Sequence, residues 1–207
     1  MDHRFIHWLG HASFRLDDGE HVIYIDPWKL PPKSPPAHLI LITHPHYDHL
    51  SRPDLERVST PETVIVATPD CVDGLSRTFL RASPGQELSA KLWMIRAVPA
   101  YTIASSFHPK PKNWVGYTIR LGNGSVVYHS GDTDLTPEVK AVRADVALLV
   151  CGGTYTMNGV DAGEAANHIG PQLVIPMHWG DIVGSRKDAQ DVRTTFRGET
   201  VITTPER

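Results

Sequence analysis

Cysteine is almost missing from this 207-residue chain: Cys71 and Cys151 stand far apart, in no paired metal or redox spacing. That excludes a disulfide framework and a zinc knuckle, and it suits a reducing cytosol. Long apolar runs are also missing, none approaching the roughly 18 residues that a membrane span needs. The start, Met1-Asp2-His3-Arg4, leads into strand-like alternation and not into a basic stretch followed by an apolar one, so a secretory signal is not expected. These absences predict a cytoplasmic protein without a membrane anchor. An excess of one charge is lacking as well. The formal net charge is −3, and the longest basic cluster, Lys110-Pro111-Lys112, is too small for an electrostatic footprint on nucleic acid. Glycine-rich phosphate loops and Ser-His-Asp or Cys-His arrangements are not signalled.

What is present is a chain with 41% hydrophobic residues and no linker, repeat or low-complexity segment, which predicts one α/β domain over residues 1–207. Short strands are expected at 4–8, 13–17, 21–25 and 39–43, with a turn at Asp18-Gly19. The proline-rich stretch 27–36 predicts an ordered surface loop. Ser51 followed by Pro53 predicts a helix start, a buried strand follows at 63–67, and a helix is expected after Pro69. Strands are expected at 92–98 and 115–121, the latter paired with 125–129 through the hairpin signal Asn123-Gly124. After a helix start at Thr136-Pro137 the pattern alternates: strand 146–150, helix 161–169, strand 173–176, helix 185–196 and a last strand at 200–203. Strands early and alternation late predict layered sheets covered by helices. Each half also has an apolar strand running into histidine, Ile42-Thr43-His44 and Pro176-Met177-His178, which suggests two related halves.

The densest chemistry lies in His44-Pro45-His46-Tyr47-Asp48-His49, directly after the apolar run 39–43. Three imidazoles and a carboxylate in six residues are costly unless a cation binds there. If the strand direction persists, His44 and His46 point the same way, while Asp48 and His49 lie on the following turn. Imidazole and carboxylate suit zinc, and also manganese or iron. Tyr47 is expected to pack.

With these residues the chain resembles the metallo-β-lactamase superfamily, and more narrowly its branch of metal-dependent hydrolases similar to ascorbate-6-phosphate lactonase-like proteins. The likeness is carried by 8–14, Ile25-Asp26-Pro27, 44–49, Tyr128 to Thr133, Gly152 to Met157 and Ile175 to Trp179. It implies a four-layer αββα sandwich with a dinuclear site. On that resemblance His44 and His46 hold one metal, Asp48, His49 and His178 the other, and Asp132 bridges. Asp132 also follows a strand and a glycine, where the backbone can turn sharply. Family members usually place a further histidine where this chain has Thr102; the nearest candidate is His108, six residues on. Asp26 is a candidate to orient a ligand imidazole, His11 to line the pocket, and Tyr155 and Trp28 to contact substrate.

The resemblance implies hydrolysis of a small ester, lactone or phosphodiester by water activated on two divalent ions, zinc first, with Asp48 and Asp132 as the catalytic carboxylates. A nuclease of the same superfamily is one alternative, disfavoured by the weak basic character. A metal-binding redox or sensor protein without hydrolytic function is another. A small-molecule substrate and a homo-oligomer are the expected partners.

Overall fold

The computed structural model describes residues 3–71, 79–103 and 105–206. The chain divides into two compact units, residues 1–82 with 204–207, and residues 83–203.

The first unit is built on a six-stranded sheet of β1 (Ile6–Gly10), β2 (Ser13–Asp17), β3 (Val22–Ile25), β4 (Leu39–Ile42), β5 (Val64–Ala67) and β6 (Leu80–Arg81), adjacent in that order. The first three strands pair antiparallel and β3 to β6 pair parallel. All four residues of both β3 and β4 are buried, as the continuous apolar runs of parallel strands require. Tyr24, Ile40, Ile42 and Ile65 form one core cluster with Leu55 and Val58 of helix α1 (Arg52–Val58). The Ser51 side chain caps α1 by accepting from Asp54 N, and a proline stands in the first turn.

The proline-rich loop has no regular structure, but it is pinned and not merely superficial. Trp28 and Leu30 are buried. The Asp54 carboxylate accepts from Lys29 N at 2.8 Å and Leu30 N at 3.3 Å, while Arg57 donates to Leu30 O at 2.8 Å. After Pro69 only a single 3-10 turn, Pro69–Cys71, is formed, and the rest of the expected helix lies outside the described residues.

The second unit repeats the plan with seven strands, in the order β13 (Glu199–Thr200), β12 (Leu173–Met177), β11 (Val146–Val150), β10 (Val126–His129), β9 (Val115–Arg120), β8 (Trp93–Pro99) and β7 (Glu87–Ala90). β7 to β10 are antiparallel and β10 to β13 parallel. Both sheets thus pass from antiparallel meander to parallel crossovers, the topological counterpart of two related halves. The Asn123-Gly124 turn joins β9 to β10 in the expected register, Arg120 opposite Val126. Helix α2 (Pro137–Lys140) is capped by Thr136, α3 (Gly159–Ile169) by Asn158, and α4 (Arg186–Thr195) by a capping box of Ser185 and Asp188. α3 packs on β11 and on α4.

Candidate metal centre

In the first unit the candidate donors sit on the loop that leaves the carboxyl end of β4, beside the turn that follows β3. Parallel pairing sets Ile25 beside Leu41, and Asp26 N then donates to Leu41 O at 2.9 Å. Asp26 therefore arrives beside Thr43. Its carboxylate accepts from Thr43 N at 2.8 Å and from Thr43 Oγ1 at 2.6 Å, and its Oδ2 lies 2.7 Å from His49 Nδ1. This network determines where the imidazole protons sit. The single hydroxyl hydrogen of Thr43 goes to Asp26, so the Thr43 oxygen is left to accept from His44 Nδ1 at 2.9 Å. His49 likewise donates through Nδ1 to Asp26. Each ring then offers an Nε2 lone pair, the form a metal ligand needs.

His49 N and Leu50 N both donate to His46 O, at 2.9 and 2.8 Å, in a tight turn that folds the hexapeptide back on itself. His44 Nε2 lies 3.0 Å from His46 Nδ1. Asp48 Oδ2 lies 2.9 Å from His11 Nε2 and 3.9 Å from His49 Nε2. His11 is buried, and its carbonyl accepts from Trp8 Nε1 at 2.9 Å. Tyr47, by contrast, is 68% exposed and meets Trp28 edge-on, ring centroids 6.3 Å apart. The same turn that directs His44, His46 and His49 inward directs the intervening residue out.

In the second unit the candidate donors are Asp132, His108 and His178. Asp132 follows β10 across Ser130-Gly131. Gly131 has φ +58°, and a Cβ there would stand 2.7 Å from Val115 O, so both the conformation and the space demand glycine. Asp132 Oδ2 lies 3.2 Å from His108 Nε2 and 3.2 Å from His178 Nε2, with all three side chains almost fully buried. His178 leaves β12 at φ +64°. Gly152, after β11, lies flush against it: a Cβ on Gly152 would collide with His178 O and come within 3.3 Å of His178 Nδ1.

Three of these residues, His11, Asp26 and His178, hold left-handed φ values of 54°, 46° and 64° without being glycine. Such backbone costs about 1–2 kcal/mol per residue and persists where surrounding contacts over-determine it, which is characteristic of functional sites. The donor spacing fits a metal. Two atoms bound about 2.0–2.1 Å from a tetrahedral ion stand about 3.3 Å apart, and the carboxylate–imidazole distances in the second unit are 3.2 Å. A donor set of imidazole and carboxylate alone suits zinc, manganese and iron. Burial pushes the Cys71 thiol up to about 12 and pushes Cys151 up as well, so neither is a thiolate donor at neutral pH.

Residues 5–178 match the model of the β-lactamase superfamily domain. The chain belongs to the metallo-β-lactamase superfamily. A UPF0173 metal-dependent hydrolase of Caldivirga maquilingensis is 30% identical over 91% of this chain and 88% of its own. The corresponding protein of Aeropyrum pernix is 33% identical over 84% and 81%. A crystal structure of a candidate metal-dependent hydrolase from Parabacteroides distasonis superposes with a TM-score of 0.83 at 28% identity, covering 95% of this chain and 91% of that one. The protein is a metal-dependent hydrolase of this superfamily, with its metallo-β-lactamase fold and its metal binding.

The metallo-β-lactamase resemblance points to histidine at position 102, and the threonine there has a different task. Thr102 N donates to His108 O at 2.8 Å and Thr102 Oγ1 to Ser105 O at 2.9 Å, so the loop closes on itself and returns His108 to Asp132. Tyr155 packs on Phe107, ring centroids 4.5 Å apart, next to His108 in sequence. Trp28 is buried against His11, centroids 5.3 Å apart. Two residues of the site escape sequence reasoning. Thr43 works only through the β3–β4 register, and Phe107 only through the loop that carries it. The hydroxyl residue directly before a candidate ligand histidine, across from a buried acid, is the signal that marks Thr43. Among the described residues no helix is long and apolar enough to cross a membrane.

Proposed function

We propose that the chain is a dinuclear hydrolase of small esters, lactones or phosphodiesters. Its donors are His44, His46, Asp48 and His49 of the first unit and His108, Asp132 and His178 of the second. Zinc is the first expectation, with manganese or iron as alternatives. The carrying observation is Asp132, one carboxylate oxygen 3.2 Å from an imidazole nitrogen on either side, which supports a bridging role. A single family model spanning 5–178 takes in all seven donors, which supports reading them as one set in one domain.

When bound, the ions would polarise the substrate oxygen and lower the pKa of a water to about 7. The chain does the rest. Asp132 and Asp48 offer carboxylate oxygens that would orient the attacking water. Asp26 and Thr43 keep the protons of His49 and His44 on Nδ1. His11 holds Asp48 at 2.9 Å. The Phe107–Tyr155 pair, with Phe107 54% exposed, gives an apolar wall for the organic part of a small substrate. A net charge of −3 disfavours nucleic acid, and a cytoplasmic location completes the reading.

The test is a hydrolysis screen over aryl esters, lactones and bis-aryl phosphodiesters with the zinc-loaded protein and its Asp132→Ala and His178→Ala variants. Loss of turnover with an unchanged circular dichroism spectrum is expected for both. Wild-type rates in either variant would refute the assignment.

A further inference from the structure

Between the end of β8 at Pro99 and the start of β9 at Val115, the chain leaves the sheet and brings His108 back to within 3.2 Å of Asp132. A loop of that kind needs something to define its closed form. Thr102 stands at its neck, 5% exposed. Its N–H donates to His108 O at 2.8 Å, and its hydroxyl donates to Ser105 O at 2.9 Å, with His108 O a second acceptor at 3.4 Å. One side chain and its own backbone thus bind both the middle and the far end of the loop.

The neck is in turn fastened to the segment that carries Asp132. Asp134 N donates to Tyr101 O at 2.9 Å, Thr133 Oγ1 donates to Tyr101 O at 3.1 Å, and Ile103 N donates to Asp134 Oδ2 at 2.6 Å. The residues on both sides of Thr102 are therefore registered against the two residues that follow Asp132. Two further residues of the loop meet on Glu138: Lys110 Nζ donates to Glu138 Oε1 at 3.0 Å and Tyr101 OH to Glu138 Oε2 at 2.8 Å. Thr102 thus holds the backbone of His108, while its two neighbours, Tyr101 and Ile103, hold the segment that carries Asp132.

We infer that Thr102 is a positioning residue for the metal centre, a latch whose hydroxyl and amide hold the loop closed so that His108 is presented to Asp132 before any ion arrives. The inference rests on the reading of His108 and Asp132 as metal donors. A preorganised donor loses less conformational freedom on binding, so the latch acts on metal affinity and on the geometry of the bound ion. Thr102 itself supplies no donor atom.

The experiment uses the full chain with cobalt(II) as probe, comparing wild type, Thr102→Val, Thr102→Ser and His108→Ala. The readouts are ion stoichiometry, cobalt dissociation constants and the visible d–d spectrum, with circular dichroism as the folding control. T102V keeps the threonine shape without the hydroxyl, and it is expected to weaken cobalt binding by about 10–100-fold and to alter the d–d bands as H108A does. T102S restores the hydroxyl and is expected to return both to wild-type values. The double variant T102V/H108A is expected to bind cobalt no more weakly than H108A alone, because both changes remove the same donor. Should T102V not fold, Thr102→Ala serves in its place against T102S. Unchanged cobalt affinity and spectrum in T102V overturn the latch while leaving the metal centre standing. So does a T102S variant as impaired as T102V, or fully additive losses in the double variant. Failure of the wild-type chain to bind cobalt at all overturns the metal reading itself, and the latch with it.

Discussion

Asp26 and His49 are joined carboxylate to imidazole at 2.7 Å, and neither side chain has any exposed surface. The same carboxylate holds both the amide and the hydroxyl of Thr43, and Thr43 in turn accepts from His44. One buried acid therefore governs two of the imidazoles offered as donors, without being a donor itself.

Replacing that acid is expected to act on affinity before it acts on fold. Asp26→Asn keeps the size of the group but turns an acceptor into a mixed amide facing an imidazole N–H. Zinc affinity should fall by about 10–100-fold, measured by competition with a chromophoric chelator. Asp26→Ala leaves buried donors unmatched and should also unfold more easily, by about 1–3 kcal/mol for each donor left unpaired. Wild-type affinity in the Asn variant would show that the pair is merely structural.

Thr43 is predicted to act through its hydroxyl. Thr43→Val removes the group that fixes the proton of His44 on Nδ1 and should reduce both zinc affinity and turnover. Thr43→Ser should retain them. Equal behaviour of the two variants in the same titration would place the effect in packing and not in the hydrogen bond.

Gly131 carries a conformational prediction. At φ +58° an alanine costs about 1–2 kcal/mol from the left-handed backbone alone, and its methyl would also meet Val115 O. Gly131→Ala should lower the melting temperature and, by displacing Asp132, reduce the amount of bound metal. A variant with the wild-type melting temperature and metal content would show that the Asp132 loop has slack.

The surface tie of Lys110 and Glu138 gives a pH dependence. Burial pulls the pKa of Glu138 up, but hydrogen bonds from Lys110 and Tyr101 outweigh it and leave the group below its ordinary value. The hydrogen bond to Glu138, followed by that to Tyr101, raises Lys110. A lowered carboxylate contributes stability above its unfolded pKa, which is lost as pH falls through its folded value. A raised ammonium contributes below its unfolded pKa, and that contribution is lost as pH rises through its folded value. The tie is thus complete between about pH 5 and about pH 10. Glu138→Gln should lower the melting temperature slightly at pH 7, with the difference from wild type shrinking toward pH 3 and again above pH 11. A difference that is the same at every pH would contradict the tie.

The donors were legible in sequence to the extent that they are local or end a buried strand. His44, His46, Asp48 and His49 share one hexapeptide, and Asp132 and His178 each close a run of apolar residues. What sequence left open depends on register and loop closure. Thr43 gains its role from the pairing of β3 with β4. The six-residue step from Thr102 to His108 is resolved by hydrogen bonds internal to the loop. β6 and β7 are not legible in sequence because a two-residue strand carries no pattern and the alternation Glu87-Leu88-Ser89-Ala90 spans only four residues. Tyr47, a poor ligand expected to pack, meets Trp28 edge-on but stays largely exposed, because the turn directs it outward.

The central claim, that these seven residues hold the ions on which hydrolysis depends, is tested most directly by anomalous scattering from crystals of the zinc-loaded protein, measured on both sides of the zinc edge. Two peaks are expected, with Asp132 coordinated to both and His108 and His178 to one each, together with loss of hydrolysis when a chelator removes them. Peaks elsewhere, or hydrolysis that survives complete removal of the metal, would contradict it.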